Sequence, residues 1–212
     1  MVSRSRWVVA CAVQAICIAC AWAATDDEYR LGLQAYQRGD VASAMNLLRA
    51  PARAGHAGSQ TLLAFILEHA DLTEEAARLY AQAAAQGDAE AHAGLANLYL
   101  TGRGIAKDEK LALVHFSKAA ELGHAAAIEV MADAHLKGLM GLAAEPRDNA
   151  AAVVALRRAA HQGHLASAEA LALAYRRGGF GLEADAAQAA SWRARSDELR
   201  RQRAGVQAKA KP

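Results

Sequence analysis

Eight histidines are the residues of this chain with the most chemistry to offer. His56, His124 and His164 each follow a glycine, and His161-Gln162-Gly163-His164 sets two imidazoles three residues apart. Imidazoles ligate zinc or copper when several converge on one point, and they move protons near neutral pH. Neither use fits this spacing. His56, His124 and His164 lie far apart in the chain, and the 161–164 pair straddles a helix end rather than sharing one helical face. No acidic-histidine metal motif stands beside them. They read as turn residues that lead into the next helix, with Asp88 in the same place within Gln86-Gly87-Asp88-Ala89. No metal site is expected.

Other chemistries lack their parts in the same way. Ser167 and Ser191-Trp192 carry no Gly-x-Ser-x-Gly elbow. Gly102-Arg103-Gly104 and Gly178-Gly179-Phe180-Gly181 are glycine-rich, but neither follows a strand nor carries Lys-Ser/Thr. They read as turns between helices, not as phosphate cradles. The close carboxylate pairs Glu74/Glu75 and Asp108/Glu109 sit where helices begin, and acids there favour the helix dipole. His135 occupies a place that tyrosine fills elsewhere, so it reads as a half-buried polar ring. No catalytic residue and no cofactor is expected.

The elements that position these residues repeat. Gly55, Gly87, Gly123 and Gly163 recur at intervals of 32, 36 and 40 residues, and periods in this range mark stacked supersecondary units. Within each period, Tyr36, Tyr99, His135 and Tyr175 precede Gly39, Gly102, Gly138 and Gly178 by three. Leu95, Met131 and Leu171 lie four residues before the ring, on the same face of a first helix, and the glycine ends that helix in a left-handed conformation. A second helix opens at Asp40, Asp108, Asp148 and Asp185, residues suited to an N-cap. Alanine follows at 44, 112, 152 and 189, and a bulky residue recurs at Leu48, Tyr80, Phe116 and Leu156. In the shortest unit Asp71 and Glu74 fit a capping box. Pro51 falls inside the first such helix and is expected to kink or restart it.

Composition agrees with helices packed closely. The chain is 54% hydrophobic but only 5% aromatic, so alanine supplies helix propensity and close approach while one sparse ring per helix fills the gaps. No single unit buries enough area alone, and at least three must stack.

The two ends differ from the middle. Arg4 and Arg6 precede an apolar run from Trp7 to Cys20, followed by Ala21-Trp22-Ala23. That is the layout of a secretory leader over residues 1–23, too short for a comfortable membrane span. All three cysteines (Cys11, Cys17, Cys20) lie inside it, so the expected mature chain has neither disulfide nor thiolate site. Without Arg4 and Arg6 the charges balance, which argues against nucleic acid as a partner. From Arg193 onward the local charge is +5, and the stretch before it carries −5. Such a basic end either makes electrostatic contact with anionic envelope components or is a solvated capping helix that frays into disorder. The need of a last repeat for a polar outer face favours the second.

The framework Leu95, Tyr99, Gly102, Gly104, Asp108, Ala112, Phe116, Lys118, Ala119, Ala120, Gly123 and Ala126, with Tyr175 in the last copy, resembles the Sel-one-like repeat family, a relative of the tetratricopeptide repeats. The resemblance implies an all-α, right-handed superhelical solenoid of antiparallel helix pairs with a groove along its inner face. It divides the chain after the leader into degenerate repeats at 24–90, the best copy at 91–126, a copy with a long loop at 127–166, a last copy with its cap at 167–202, and a disordered basic tail at 203–212. Family members generally act as adaptors or regulators through protein contacts, some of them in bacterial envelope processes. The expected function is therefore a non-catalytic scaffold or regulator in the periplasm that holds a protein or peptide. A secreted factor engaging host or extracellular proteins is the alternative, and an envelope polysaccharide hydrolase comes third. If the groove binds, its lining comes from non-framework positions of the first helices: His92, Asn97, Glu129, Asp133, Arg176 and Arg177.

Overall fold

The computed structural model describes residues 25–142 and 150–209. The leader at 1–23 and the cap expected at Asp148 lie outside the described residues, as do 210–212. Ten helices and no strand occupy the described residues: α1 over residues 25–37, α2 Val41–Arg53, α3 Ala57–His69, α4 Thr73–Ala84, α5 Ala89–Thr101, α6 Glu109–Glu121, α7 Ala125–Lys137, α8 Ala150–His161, α9 Leu165–Arg177 and α10 Ala186–Lys209. None of these helices is long and apolar enough to cross a membrane. The fold is an all-α helical repeat, and it divides into two compact units, residues 1–106 and 107–212. The division falls in the loop between α5 and α6, inside the segment 91–126 that the sequence reads as one repeat.

In the first unit α2 packs on α3, α3 on α4 and α4 on α5. Connections of three or four residues leave consecutive helices no arrangement but antiparallel neighbours. Ala44, Leu48, Ala64, Ala76, Tyr80 and Leu98 form one core with Ala35 of α1. Several of its alanines are wholly buried, which lets backbones approach and leaves single large side chains to fill the remaining space. In the second unit α6 packs on α7, α7 on α8, α8 on α9 and α9 on α10, around Phe116, Met131, Leu156 and Leu171.

Most of the expected caps form. Asp40 accepts from the Ser43 N–H at 3.1 Å, Asp108 from Lys110 and Leu111 at 2.9 and 3.0 Å, and Asp185 from Ala187 and Gln188 at 2.8 and 3.0 Å. The capping box at Asp71 does not. Leu72 stands at the N-cap of α4 with no side-chain bond, and Asp71 lies one place earlier at φ +60°. It takes the left-handed position that Gly102 and Gly138 hold after α5 and α7, a conformation aspartate tolerates better than most residues. Its carboxylate turns outward to Arg103 Nη2 at 3.0 Å.

Two further expectations change. Pro51 does not restart a helix: α2 runs continuously through it to Arg53. Proline lacks only its own N–H, so a single bond of the ladder is lost, and the ring itself is fully buried. At the other end α10 continues as helix to Lys209, where the sequence reading ends the ordered chain at 202. Arginine and alanine are strong helix formers, and Trp192, Ser196 and Leu199 bury one stripe of this helix.

Candidate functional site

The glycine–histidine turns form a repeated local structure. At each, the residue after the glycine donates its N–H five residues back: His56 to Pro51 O, Asp88 to Ala83 O, His124 to Ala119 O and His164 to Ala159 O. The same residue is then the N-cap of the next helix. His56 Nδ1 accepts from the Ser59 N–H at 3.0 Å, Asp88 Oδ1 from the Ala91 N–H at 2.8 Å, and His124 Nδ1 from the Ala127 N–H at 3.1 Å. An imidazole nitrogen that accepts cannot carry the proton, so in His56 and His124 the proton is on Nε2.

Two of these turns bring together groups that resemble a catalytic relay. His56 Nδ1 lies 2.8 Å from Ser59 Oγ, and its Nε2 lies 3.0 Å from Asp26 Oδ1. His164 Nδ1 lies 2.7 Å from Ser167 Oγ, with Nε2 3.5 Å from Asp133 Oδ1. A relay needs a nucleophile that substrate can reach. Ser59 and Ser167 are fully buried in the first turns of α3 and α9, so neither hydroxyl can attack a bound group. At His56 the arrangement is a helix cap braced by a carboxylate; His164 holds the same place before α9 without a side-chain bond to its backbone, and its ring meets the buried Ser167 hydroxyl instead. Replacing His56 by alanine should lower stability by about 0.5–2 kcal/mol, and His56→Asp, which copies Asp88, should retain most of it. Equal losses for the two variants in urea unfolding would contradict the capping role.

The residues expected to line a groove divide between the two units. His92 and Asn97 lie on α5 in the first unit, and the other four belong to the second. Asp133 is engaged by Lys137 Nζ at 2.6 Å and by the His164 cap. Glu129, Arg176 and Arg177 are exposed, the arginines in the last turn of α9.

What the second unit does form is an apolar groove of about 440 Å³, walled by α6 and α8 with α7 as its floor. Leu113, Ser117, Ile128, Met131, His135 and Val154 line it. Val154 is half exposed, and Ile128 and Met131 are buried beneath. His135 is buried at the floor, and loss of hydration holds its pKa below the ordinary histidine value, which favours the neutral ring. Arg158 spans the far side, donating to Ala120 O at 3.2 Å. Among the described residues no group of three or more His, Cys, Asp or Glu could hold a metal ion. The groove suits apolar side chains.

Sequence reasoning missed it for a definable reason. The expected lining comes from polar positions on the first helix of each pair, whereas α6 and α8 are both second helices. The available hint was an apolar residue outside the repeated framework at Leu113 and Val154.

Similarity to known proteins agrees with this architecture. The family described as Sel1 repeat matches residues 26–54, 70–88, 89–124, 125–164 and 166–192. An uncharacterized protein of Neisseria meningitidis serogroup B is 38% identical over 123 residues, which cover 55% of this chain and 26% of that protein's length. Two solved structures superpose with TM-scores of 0.67. One is a protective antigen present in uropathogenic Escherichia coli strains that displays an SLR fold, 25% identical, covering 85% of this chain and 39% of its own. The other is a Sel1 repeat protein from Oxalobacter formigenes, 27% identical, covering 80% of this chain and 70% of its own. With five matched segments spread over most of the described residues, and the helix pairs that the repeats predict, the chain belongs to the Sel1 repeat family.

Proposed function

We propose that this protein is a non-catalytic interaction scaffold of the bacterial cell envelope, holding an apolar segment of a protein or peptide in the α6–α8 groove. The groove carries the reading: it is open, apolar and about 440 Å³ in volume, a size that takes a few side chains rather than a whole domain. Sel1 repeat proteins generally mediate protein–protein interaction, and the leader pattern over residues 1–23 supports export. A hydrolase needs an accessible nucleophile or a paired acid and base, and the serines of the two serine–histidine contacts are fully buried.

A secreted factor with an extracellular target is the second reading. It is favoured by the protective-antigen relative, which covers 85% of this chain.

The test is crosslinking and affinity capture of the tagged protein in intact cells, followed by mass spectrometry. Val154→Glu places a charge on the open wall of the groove at a residue that is already half exposed. Val114→Glu, on the exposed side of α6, is the control. A partner lost with the first variant and kept with the second supports the scaffold. Equal capture by both removes the groove from the function. Fractionation of the same cells separates a periplasmic protein from a released one.

A further inference from the structure

The repeat register gives each position of α10 a counterpart in α8. Arg158 reaches back to Ala120 O at 3.2 Å, and Arg195 reaches back to His161 O at 3.3 Å, in each case to the last turn of the preceding second helix or its end. These equivalent anchors set Ala189 against Ala152, Ala190 against Val153, Arg193 against Leu156 and Ser196 against Ala159. In α8, whose neighbours are α7 and α9, those four positions are 0, 6, 0 and 0% exposed. In α10, Ala190 and Arg193 are exposed. The bulky core position filled by Leu48, Tyr80, Phe116 and Leu156 has become an arginine.

The uncovered face of α10 and the adjoining face of α9 bound a groove of about 590 Å³. Ala172, Ala189 and Ala190 form its floor, and Arg176, Arg193 and Arg200 stand at its edges. Leu173, 39% exposed, adds an apolar step on the α9 side. Arg200 is engaged by Glu169 at 2.6 Å and Asp197 at 3.0 Å. The guanidinium groups of Arg176 and Arg193 meet no hydrogen-bond or ion-pair partner among the described residues. An alanine floor lets another helix approach closely, because interaxial distance follows the size of the side chains at the contact. Two cations without partners at its edges select carboxylates on whatever lies there.

We propose that the α9–α10 groove docks an acidic amphipathic α-helix of a partner protein. Small apolar residues of that helix rest on Ala172, Ala189 and Ala190, and its carboxylates meet Arg176 and Arg193. The occupant is a helix because the matching face of α8 is packed between helices, and the face of α10 differs from it by an arginine at the bulky position. A polyanion such as an anionic polysaccharide or a lipid surface has use for the arginines but none for the alanine floor. This surface is separate from the α6–α8 groove, and neither proposal depends on the other.

The test uses the purified full chain and a fluorescent synthetic peptide of about 18 residues, some five helical turns, with alanine and leucine on one face and glutamates flanking it. A scrambled peptide of the same charge is the comparison. Binding of the amphipathic peptide is expected to weaken about tenfold or more with Arg193→Glu or Arg176→Glu, and a lysine-for-glutamate peptide should recover it on the double variant. Ala190→Trp, at an exposed position, should block the floor while leaving the helical circular dichroism unchanged. Equal binding of the scrambled peptide, indifference to Ala190→Trp, or displacement by dextran sulfate or anionic vesicles at equal charge would overturn the proposal in favour of a polyanion surface. Absence of peptide binding at low salt would overturn it as well.

Discussion

Gly104→Ala is expected to destabilise the first unit by about 2–5 kcal/mol. Gly104 has φ +70°, and a Cβ there would lie 2.4 Å from the Thr73 carbonyl carbon, 2.5 Å from its oxygen and 2.7 Å from the Glu74 nitrogen. Those atoms belong to the backbone that opens α4, so they cannot swing aside as a side chain would. Left-handed strain and overpacking therefore add. The neighbouring Arg103 shows why the loop cannot retreat: it bonds Glu68 O at 3.2 Å and Asp71 at 3.0 Å, fastening the α5–α6 loop over the turn between α3 and α4. Gly123→Ala is the comparison. Gly123 has φ +91° but no heavy atom within 4 Å of the added carbon, so conformational strain alone remains, about 1–2 kcal/mol. Thermal and urea unfolding of the two variants should place Gly104→Ala well below Gly123→Ala. Matching midpoints would mean that the close approach at Thr73 is absent in solution.

Tyr80→Ala should cost about 3–5 kcal/mol, the range for an aromatic ring removed from a packed core. Tyr80 is 2% exposed and donates its hydroxyl to Glu68 Oε2 at 3.1 Å. Burial first, and then the Glu68 carboxylate, hold the phenol well above its ordinary pKa, so it stays a neutral donor at every pH the fold meets. The ring lies against Gly94 of α5, where an added Cβ would stand 2.5 Å from Tyr80 Cζ. Gly94→Ala should therefore destabilise by about 1–3 kcal/mol through overpacking, although alanine is the better helix former by about 1 kcal/mol. In the double variant the methyl enters space the ring has left, so the combined loss should fall short of the sum of the single losses. Strict additivity in a double-mutant cycle would show that the two residues do not share this contact.

The contrast between these glycines marks where sequence reading stops. Gly104 and Gly123 are both framework glycines, and nothing in the chain ranks them. The difference lies in what each approaches: Thr73 is 31 residues from Gly104, and its contact is made by folding. Gly94 has no framework role in the repeat pattern, yet its missing side chain is what seats the Tyr80 ring. Likewise Asp71 and Glu74 have the spacing of a capping box, but the left-handed residue that closes α3 shifts the helix start by one place. The His-x-x-Ser spacing at 56–59 and 164–167 stands in the chain, but that its serines are closed to substrate depends on the packing that leaves Ser59 and Ser167 without exposure.

The groove residues divide in the same way. His92, Asn97, Glu129, Asp133, Arg176 and Arg177 were selected for polarity on one helix of each pair. That criterion finds wet faces, and it found Asp133 in an internal ion pair as readily as Arg176 at the edge of a groove. An apolar groove built from two successive second helices is a property of spacing between elements, invisible along either one. Arg193 is the exception: in the repeat register it stands where other units carry leucine, tyrosine or phenylalanine, so the recoded face is written in the chain.

By itself the sequence determined the helix pairs, their order, most of their caps and the family, because each of these rests on interactions within a few residues and on a period that local chemistry imposes. Tertiary structure alone decided which glycines are indispensable, which serines are buried, and where grooves open. Those depend on contacts between residues of different helices, set when small alanine faces let whole helices close on one another.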